Sequence, residues 1–178
     1  MATTTTVIWE RDRALAQPVF FPVSVSKLLV MFVCTFGLYQ YYWFYQNWKL
    51  EQARSRKKMI PFWRAVFAVG WAQPLFDRIA RRAQDEGLRP GFSASPMGGL
   101  FAVLTLLVKL PDPYWLVTLL TIVPVLYVHR TATAINRKAA PDAPVNAKLS
   151  GLNILGVVIG GLLLLVVLLG TFLPAEPT

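Results

Sequence analysis

The C-terminal part of the sequence contains a long apolar run without one charged residue. This run covers residues 152–173, and a helix of about 20 apolar residues is long enough to cross the hydrocarbon layer of a bilayer. The composition agrees with a membrane environment, because 55% of the residues are hydrophobic and only 15% are charged. Soluble domains carry about 25% charged residues. We therefore predict a membrane-spanning helix at 152–173.

Three other apolar runs predict further spans, at residues 28–45, 92–110 and 114–130. The second and third of these runs are expected to form a hairpin. Pro111 and Pro113 lie between them, and proline removes a backbone donor and disfavours helical geometry in the residue before it.

The segment at residues 61–82 is amphipathic rather than uniformly apolar. At 100° per residue, its charged residues from Arg64 to Arg82 fall on one arc of a helix. The opposite arc holds five apolar residues, namely Val69, Ala72, Leu75, Phe76 and Ile79. This pattern predicts a helix that lies in the membrane interface.

The predicted fold class is all-α: a polytopic membrane protein with about four transmembrane helices and one amphipathic interfacial helix. A single membrane domain is expected at residues 25–174. A flexible N-terminal segment at 1–24 precedes it, and a short tail at 175–178 follows it.

Most positive charges lie in two stretches of the sequence. Residues 46–91 and 129–151 hold 14 of the 18 lysines and arginines, and positive charge favours the cytoplasmic side of a membrane. With four spans, both stretches share that side, which predicts a multi-pass protein of the cell inner membrane with both termini non-cytoplasmic. The main alternative is an odd number of spans, in which the N-terminal segment is cytoplasmic and residues 28–45 form only a re-entrant turn.

Aromatic residues crowd the end of the first predicted span, where seven of the ten residues at 39–48 are aromatic. Tyr and Trp favour the membrane interface, because the ring can be buried while its O–H or N–H meets water. An aromatic-lined pocket or a base-stacking platform is the alternative. The predicted interfacial anchors are Tyr39, Tyr42, Trp43, Trp48, Trp63 and Trp71.

Part of this stretch, residues 35–43, follows the pattern Thr-x-Gly-Leu-Tyr-x-x-Tyr-Trp. The pattern resembles a signature at the end of the first membrane helix in a family of small bacterial integral membrane proteins of unknown function. The resemblance covers about residues 22–50 and implies a bacterial membrane protein. Because that family has no assigned activity, the resemblance implies no catalytic residue.

Basic residues cluster beside the amphipathic segment, where we predict contact with anionic lipid headgroups or with an acidic partner. Each such residue contributes about 1 kcal/mol near an anionic leaflet. The alternative is that these charges only set the topology. Nucleic acid is not an expected partner, because no nucleic-acid-binding motif accompanies the cluster. The predicted contact residues are Arg54, Arg56, Lys57, Lys58, Arg64, Arg78, Arg81 and Arg82.

Gly156 and Gly160 form a Gly-x-x-x-Gly pattern in the last predicted span. Small residues at this spacing let two helix backbones approach closely. The pattern predicts helix packing, either within the chain or between two copies of it.

Groups that could perform chemistry are few. Cys34 and His129 are the only cysteine and the only histidine, so a Cys/His metal site is not expected. His129, beside Arg130 at a span end, is expected to be solvated. No phosphate-binding loop or nucleophile motif is present, and we predict neither a catalytic residue nor a cofactor.

The sequence thus predicts a non-catalytic membrane protein with a structural, accessory or regulatory role. Two alternatives stay open. One is a small oligomeric transporter or channel, with polar lining from Gln40, Thr105, Thr118, Thr121 and Asn153. The other is a membrane enzyme that acts on a lipid phosphate.

Overall fold

The computed structural model describes residues 17–55 and 58–172, and these residues are all-helical apart from loops and one isolated β-bridge between Val23 and Asn146. The prediction of an all-α fold is confirmed. The α-helices of this part of the chain are α1 (Val25–Cys34), α2 (Leu38–Ser55), α3 (Pro61–Val66), α4 (Ala68–Asp85), α5 (Ala94–Leu106), α6 (Ile122–Ala139) and α7 (Gly151–Phe172). Two 3₁₀ helices, Leu107–Lys109 and Tyr114–Thr121, extend α5 and precede α6.

Among the described residues, two helical stretches are long and apolar enough to cross a membrane. One is Tyr114–Ala139, which joins the second 3₁₀ helix to α6, and the other is Gly151–Thr171 within α7. The stretches Val25–Cys34 and Ala94–Lys109 are apolar but shorter. Of the four predicted spans, two therefore correspond to helical stretches of full length, and the other two correspond to stretches that are too short by this measure.

The prediction of one span at 28–45 is wrong, because the helix breaks at residues 35–37. Phe36 and Gly37 adopt left-handed backbone angles, with φ of 50° and 83°. The Thr35 hydroxyl donates to the Met31 carbonyl at 2.6 Å and accepts from the Tyr39 amide at 2.9 Å. It thereby closes α1 and opens α2.

The helices α1 and α2 form a hairpin whose two ends lie side by side. The Phe21 amide, just before α1, donates to Asn47 Oδ1 in the second half of α2 at 3.1 Å. Lys27 Nζ donates to the carbonyl of Lys148, just before α7, at 2.7 Å. The segment before α1 therefore lies on the same side of the molecule as the end of α2 and the start of α7. The predicted four-span arrangement places Lys27 and Lys148 on opposite sides of the membrane, and this part of the prediction is wrong.

The segment at residues 17–24 is packed, so the expectation of a flexible N-terminal segment does not hold there. Phe20, Phe21 and Val23 are buried. Asn136 of α6 holds the segment, because its amide accepts from the Phe20 N–H and donates to the Phe20 carbonyl, both at 2.8 Å. Residues 1–16 and the tail lie outside the described residues.

The amphipathic segment at 61–82 is two helices, α3 and α4, separated at Phe67, rather than one interfacial helix. The predicted apolar arc is real, but it faces the protein. Ala72, Leu75, Phe76 and Ile79 are fully buried, and the Phe76 ring stacks on Phe44 of α2 at 6.0 Å between centroids. The apolar face of α4 therefore builds the core instead of entering a bilayer.

The last helix, α7, runs alongside α1 and then extends beyond it. Cys34, the final residue of α1, lies against Gly160, the tenth residue of α7. At 1.5 Å per residue, α1 is about 15 Å long and α7 about 33 Å. The turn between α1 and α2 thus lies beside the middle of α7. Most of α7 is exposed.

Candidate functional site

Four of the predicted contact residues line one cleft. This arginine cleft, of about 320 Å³, lies between the end of α2 and the second half of α4. Four guanidinium groups and two carboxylates surround it, so a net positive charge remains. Its lining consists of Phe20, Glu51, Arg54, Ser55, Arg78, Arg81, Arg82 and Asp85.

Ion pairs hold these arginines in place. Glu51 accepts from both Arg54, at 3.0 Å, and Arg78. Arg81 pairs with Asp77, and Arg82 with Glu86, each at 2.8 Å one helical turn apart. The arginines of α4 share one face because their spacing of three and four residues corresponds to one turn.

Arg54 joins the N-terminal segment to the cleft. Its guanidinium donates to the Val19 carbonyl and lies 4.8 Å from the Phe20 ring centroid. Desolvation lowers the pKa of Arg54, and the Glu51 carboxylate opposes this effect. The guanidinium stays protonated at any physiological pH, so Arg54 is a fixed charge of the cleft.

Cations and tryptophan rings alternate from the cleft toward α3. Arg78 lies over Trp48 at 5.3 Å, and Arg64 of α3 lies between Trp48 at 4.4 Å and Trp71 at 4.2 Å. Cation–π contacts of this kind are worth about 0.5–2 kcal/mol each. Arg64, a predicted lipid contact, is thus used mainly inside the protein, where desolvation lowers its pKa.

The short helix α3 exposes a continuous apolar surface. Trp63 is 52% exposed, and its ring stacks on Phe67 at 5.9 Å. Exposed apolar surfaces of this kind mark contact with a membrane or a partner. Its exposed residues are Ile60, Phe62, Trp63, Val66 and Phe67. The arrangement therefore places an aromatic surface beside the arginine cleft, because Arg64 of the same helix contacts Trp48.

The predicted aromatic anchors fall into two groups. Tyr42, Trp63 and Trp71 are exposed, whereas Tyr39, Trp43 and Trp48 are buried. The expectation that these last three lie at an interface is wrong, because α2 packs within the helix bundle along the face that carries them. Of the remaining predicted contact residues, Lys58 is exposed, and Arg56 and Lys57 lie outside the described residues.

His129 is fully buried, so the expectation of a solvated side chain is also wrong. Trp43 Nε1–H donates to His129 Nδ1 at 3.2 Å, and His129 Nε2 lies 3.0 Å from the Val23 carbonyl. Nδ1 must accept and Nε2 must donate, which fixes the neutral tautomer with its proton on Nε2. His129 therefore links α2, α6 and the N-terminal segment.

The Gly-x-x-x-Gly pattern serves contact within the chain. A Cβ on Gly160 would clash with the Cys34 carbonyl oxygen, and one on Gly156 would lie 4.0 Å from Met31 Cε. Of the polar residues proposed to line a channel, Thr105 and Thr118 bond to the Phe101 and Leu104 carbonyls. Within residues 17–55 and 58–172, no cluster of three potential metal ligands occurs.

Comparison with known proteins adds no assignment. No family model, curated protein or solved structure matches this chain.

Proposed function

We propose that this chain is a non-catalytic, multi-pass protein of the bacterial inner membrane whose arginine cleft binds the phosphate of anionic phospholipids from the cytoplasmic side. Its role is then structural or regulatory within that membrane. The observation that carries the proposal is the meeting of four guanidinium groups at one cleft beside the exposed aromatic surface of α3. Guanidinium groups match phosphate oxygens in geometry and charge.

The charge distribution supports an orientation with three crossings. In this arrangement the shorter stretch Ala94–Lys109 crosses together with Tyr114–Ala139 and α7, whereas α1 and α2 enter and return as a re-entrant hairpin. Of the residues at 17–55 and 58–172, Lys109 is then the only basic one on the far side. This is the arrangement that the preference of positive charge for the cytoplasm favours.

Depth supports the same orientation. The hairpin turns after about 15 Å, which is half of a hydrocarbon layer of about 30 Å. It turns beside Gly160, near the middle of α7. The N-terminal segment, the arginine cleft and the start of α7 then share the cytoplasmic side.

The test compares lipid retention by variants of the full chain purified in detergent. Arg81→Gln/Arg82→Gln removes two cleft charges, and neither side chain is buried. At about 1 kcal/mol for each charge, we expect the affinity of the cleft for phosphatidylglycerol to fall at least tenfold, which is measured as less retained phosphatidylglycerol relative to phosphatidylcholine. The matched control, Lys109→Gln/Arg130→Gln, removes two exposed charges outside the cleft and is expected to retain lipid like the natural protein.

Equal retention by all three proteins would refute the lipid assignment. An acidic polypeptide that binds lipid-stripped protein, and is lost only in the cleft variant, would assign the cleft to a protein partner instead.

A further inference from the structure

A second polar cavity, of about 380 Å³, lies between α1, α2 and the start of α7. It is separate from the arginine cleft and shares no lining residue with it. Two lysines, two tyrosines and several neutral polar groups surround it. The residues used below are Lys27, Tyr39, Tyr42, Lys148 and Asn153.

Lys27 brings a positive charge to this cavity, and no acidic residue within 17–55 and 58–172 pairs with it. Its side chain is only 6% exposed. Its Nζ donates to Asn146 Oδ1 at 2.8 Å and to the Lys148 carbonyl at 2.7 Å. Asn153 adds a third oxygen at 3.0 Å when its amide oxygen faces Nζ. All three oxygens are neutral, so the ammonium is hydrogen-bonded but no carboxylate of the described residues balances its charge.

No carboxylate among the described residues lines this cavity. The ion pairs of residues 17–55 and 58–172 join arginines of α2 and α4 to acids of the same two helices or the residue that follows α4. A buried charge without an opposite charge is costly. The cavity beside Lys27 is where an anion would remove that cost.

The tyrosines supply donors in addition to the charge. Tyr39 is more than nine-tenths buried, and its ring centroid lies 5.5 Å from that of Tyr42. Within the part of the chain that the structure describes, neither hydroxyl donates a hydrogen bond to a protein group. Lys148, whose side chain is exposed, provides a second ammonium.

We infer that this cavity binds a phosphate group. A phosphate offers several acceptor oxygens and a negative charge. It can balance the charge of Lys27, whose three N–H donors already have partners, and it can accept hydrogen bonds from the Lys148 ammonium and the two tyrosine hydroxyls, whereas a carboxylate has only two oxygens. The cavity is also large enough for a phosphodiester with a small headgroup. It is a second anion site, beyond the arginine cleft of the proposed function.

The orientation proposed above favours a lipid as the source of that phosphate. Lys27, Lys148 and Asn153 lie where α1 and α7 begin, whereas Tyr39 lies nearer the hairpin turn. In that orientation the start of α1 and α7 is at the cytoplasmic interface, which is the level of the lipid phosphates. Only this choice of source rests on the proposed function, because the cavity and its unbalanced lysine do not depend on it.

The experiment measures binding to the lipid-stripped full chain in a maltoside detergent. The probes are dioctanoyl-phosphatidylglycerol, dioctanoyl-phosphatidylcholine and inorganic phosphate. Tyr39→Phe/Tyr42→Phe removes only the two hydroxyls. With the arginine cleft disabled by Arg81→Gln/Arg82→Gln in every protein compared, it should bind phosphatidylglycerol about tenfold more weakly, since hydrogen bonds to charged groups are the stronger class. The matched control is Tyr41→Phe/Tyr45→Phe, which alters the same helix outside this cavity and should bind normally.

Lys148→Gln gives an independent reading, because its carbonyl bond to Lys27 survives the substitution. We expect about fivefold weaker binding. Lys27→Met should also weaken binding, but it removes the contacts that hold residues 146–148. If Lys27→Met does not fold, the result for Lys148→Gln alone decides.

The outcomes separate the two sites and the two sources. If the cavity binds phosphatidylglycerol but not inorganic phosphate, its ligand is a lipid phosphate. If the cavity binds both, it recognises the phosphate group itself, without the rest of the lipid. Arg81→Gln/Arg82→Gln should leave the cavity component of binding intact. Natural affinity in both Tyr39→Phe/Tyr42→Phe and Lys148→Gln would overturn the cavity site while leaving the cleft untouched.

Discussion

Gly160 of α7 lies so close to Cys34 that a Cβ on the glycine would clash with the Cys34 carbonyl oxygen. This contact joins the tip of the α1–α2 hairpin to the middle of α7. Such an approach is open only to glycine, because any side chain would push the two backbones apart.

Replacing Gly160 should therefore loosen the hairpin. We expect Gly160→Ala to destabilise the protein by about 2–3 kcal/mol, as overpacking typically does. Gly161→Ala is the matched control, because a Cβ there meets nothing within 4 Å. Gly156→Ala should also be tolerated. Thermal unfolding in detergent measures all three, and equal midpoints for Gly160→Ala and Gly161→Ala would contradict the contact.

The buried His129 should contribute stability through its two hydrogen bonds. His129→Leu leaves the Trp43 N–H and the Val23 carbonyl without partners, at a cost of about 1–3 kcal/mol each. Trp43→Phe removes the donor instead. The double variant should be more stable than the sum of the single effects predicts, because one orphaned group is gone. Strictly additive unfolding free energies would show that the Trp43–His129 bond contributes nothing.

The sequence predicted well those features that depend on local pattern. The apolar run at 152–173 corresponds closely to α7, which covers Gly151–Phe172. Four of the five residues of the predicted apolar arc are fully buried, with Val69 as the exception. The periodicity of these residues does not distinguish a bilayer from a protein core, because burying the same apolar face is favourable in both.

The parts that sequence reasoning missed depend on tertiary contacts or on backbone angles. The break at residues 35–37 requires a left-handed Phe36, a conformation that a bulky residue rarely adopts. Helical spacing predicts that Arg78, Arg81 and Arg82 share one face of a helix. Their proximity to Arg54 depends on how α2 packs against α4, which the sequence does not show. The burial of Lys27 depends on Asn146 and Lys148, more than a hundred residues away.

The turn between α1 and α2 should be sensitive to the residue at position 37. Gly37 has φ of 83°, and a side chain in that conformation costs about 1–2 kcal/mol. Gly37→Ala should lower the unfolding midpoint, and Gly37→Asn should lower it less, because Asn tolerates left-handed angles. Gly99→Ala, in the exposed face of α5, is the control and should be neutral or slightly stabilising. A Gly37→Ala protein as stable as Gly99→Ala would contradict a left-handed turn.

The orientation in the membrane can be read from single cysteines introduced into a Cys34→Ser background. Ser26, Asp112 and Asp142 are exposed. In the three-crossing arrangement, Ser26→Cys and Asp142→Cys lie on the cytoplasmic side, and Asp112→Cys lies on the other. A membrane-impermeant maleimide should label the first two only in inverted vesicles and the third only in intact spheroplasts. The four-span arrangement requires Ser26→Cys to be labelled together with Asp112→Cys, so that result would show that the hairpin crosses the membrane after all.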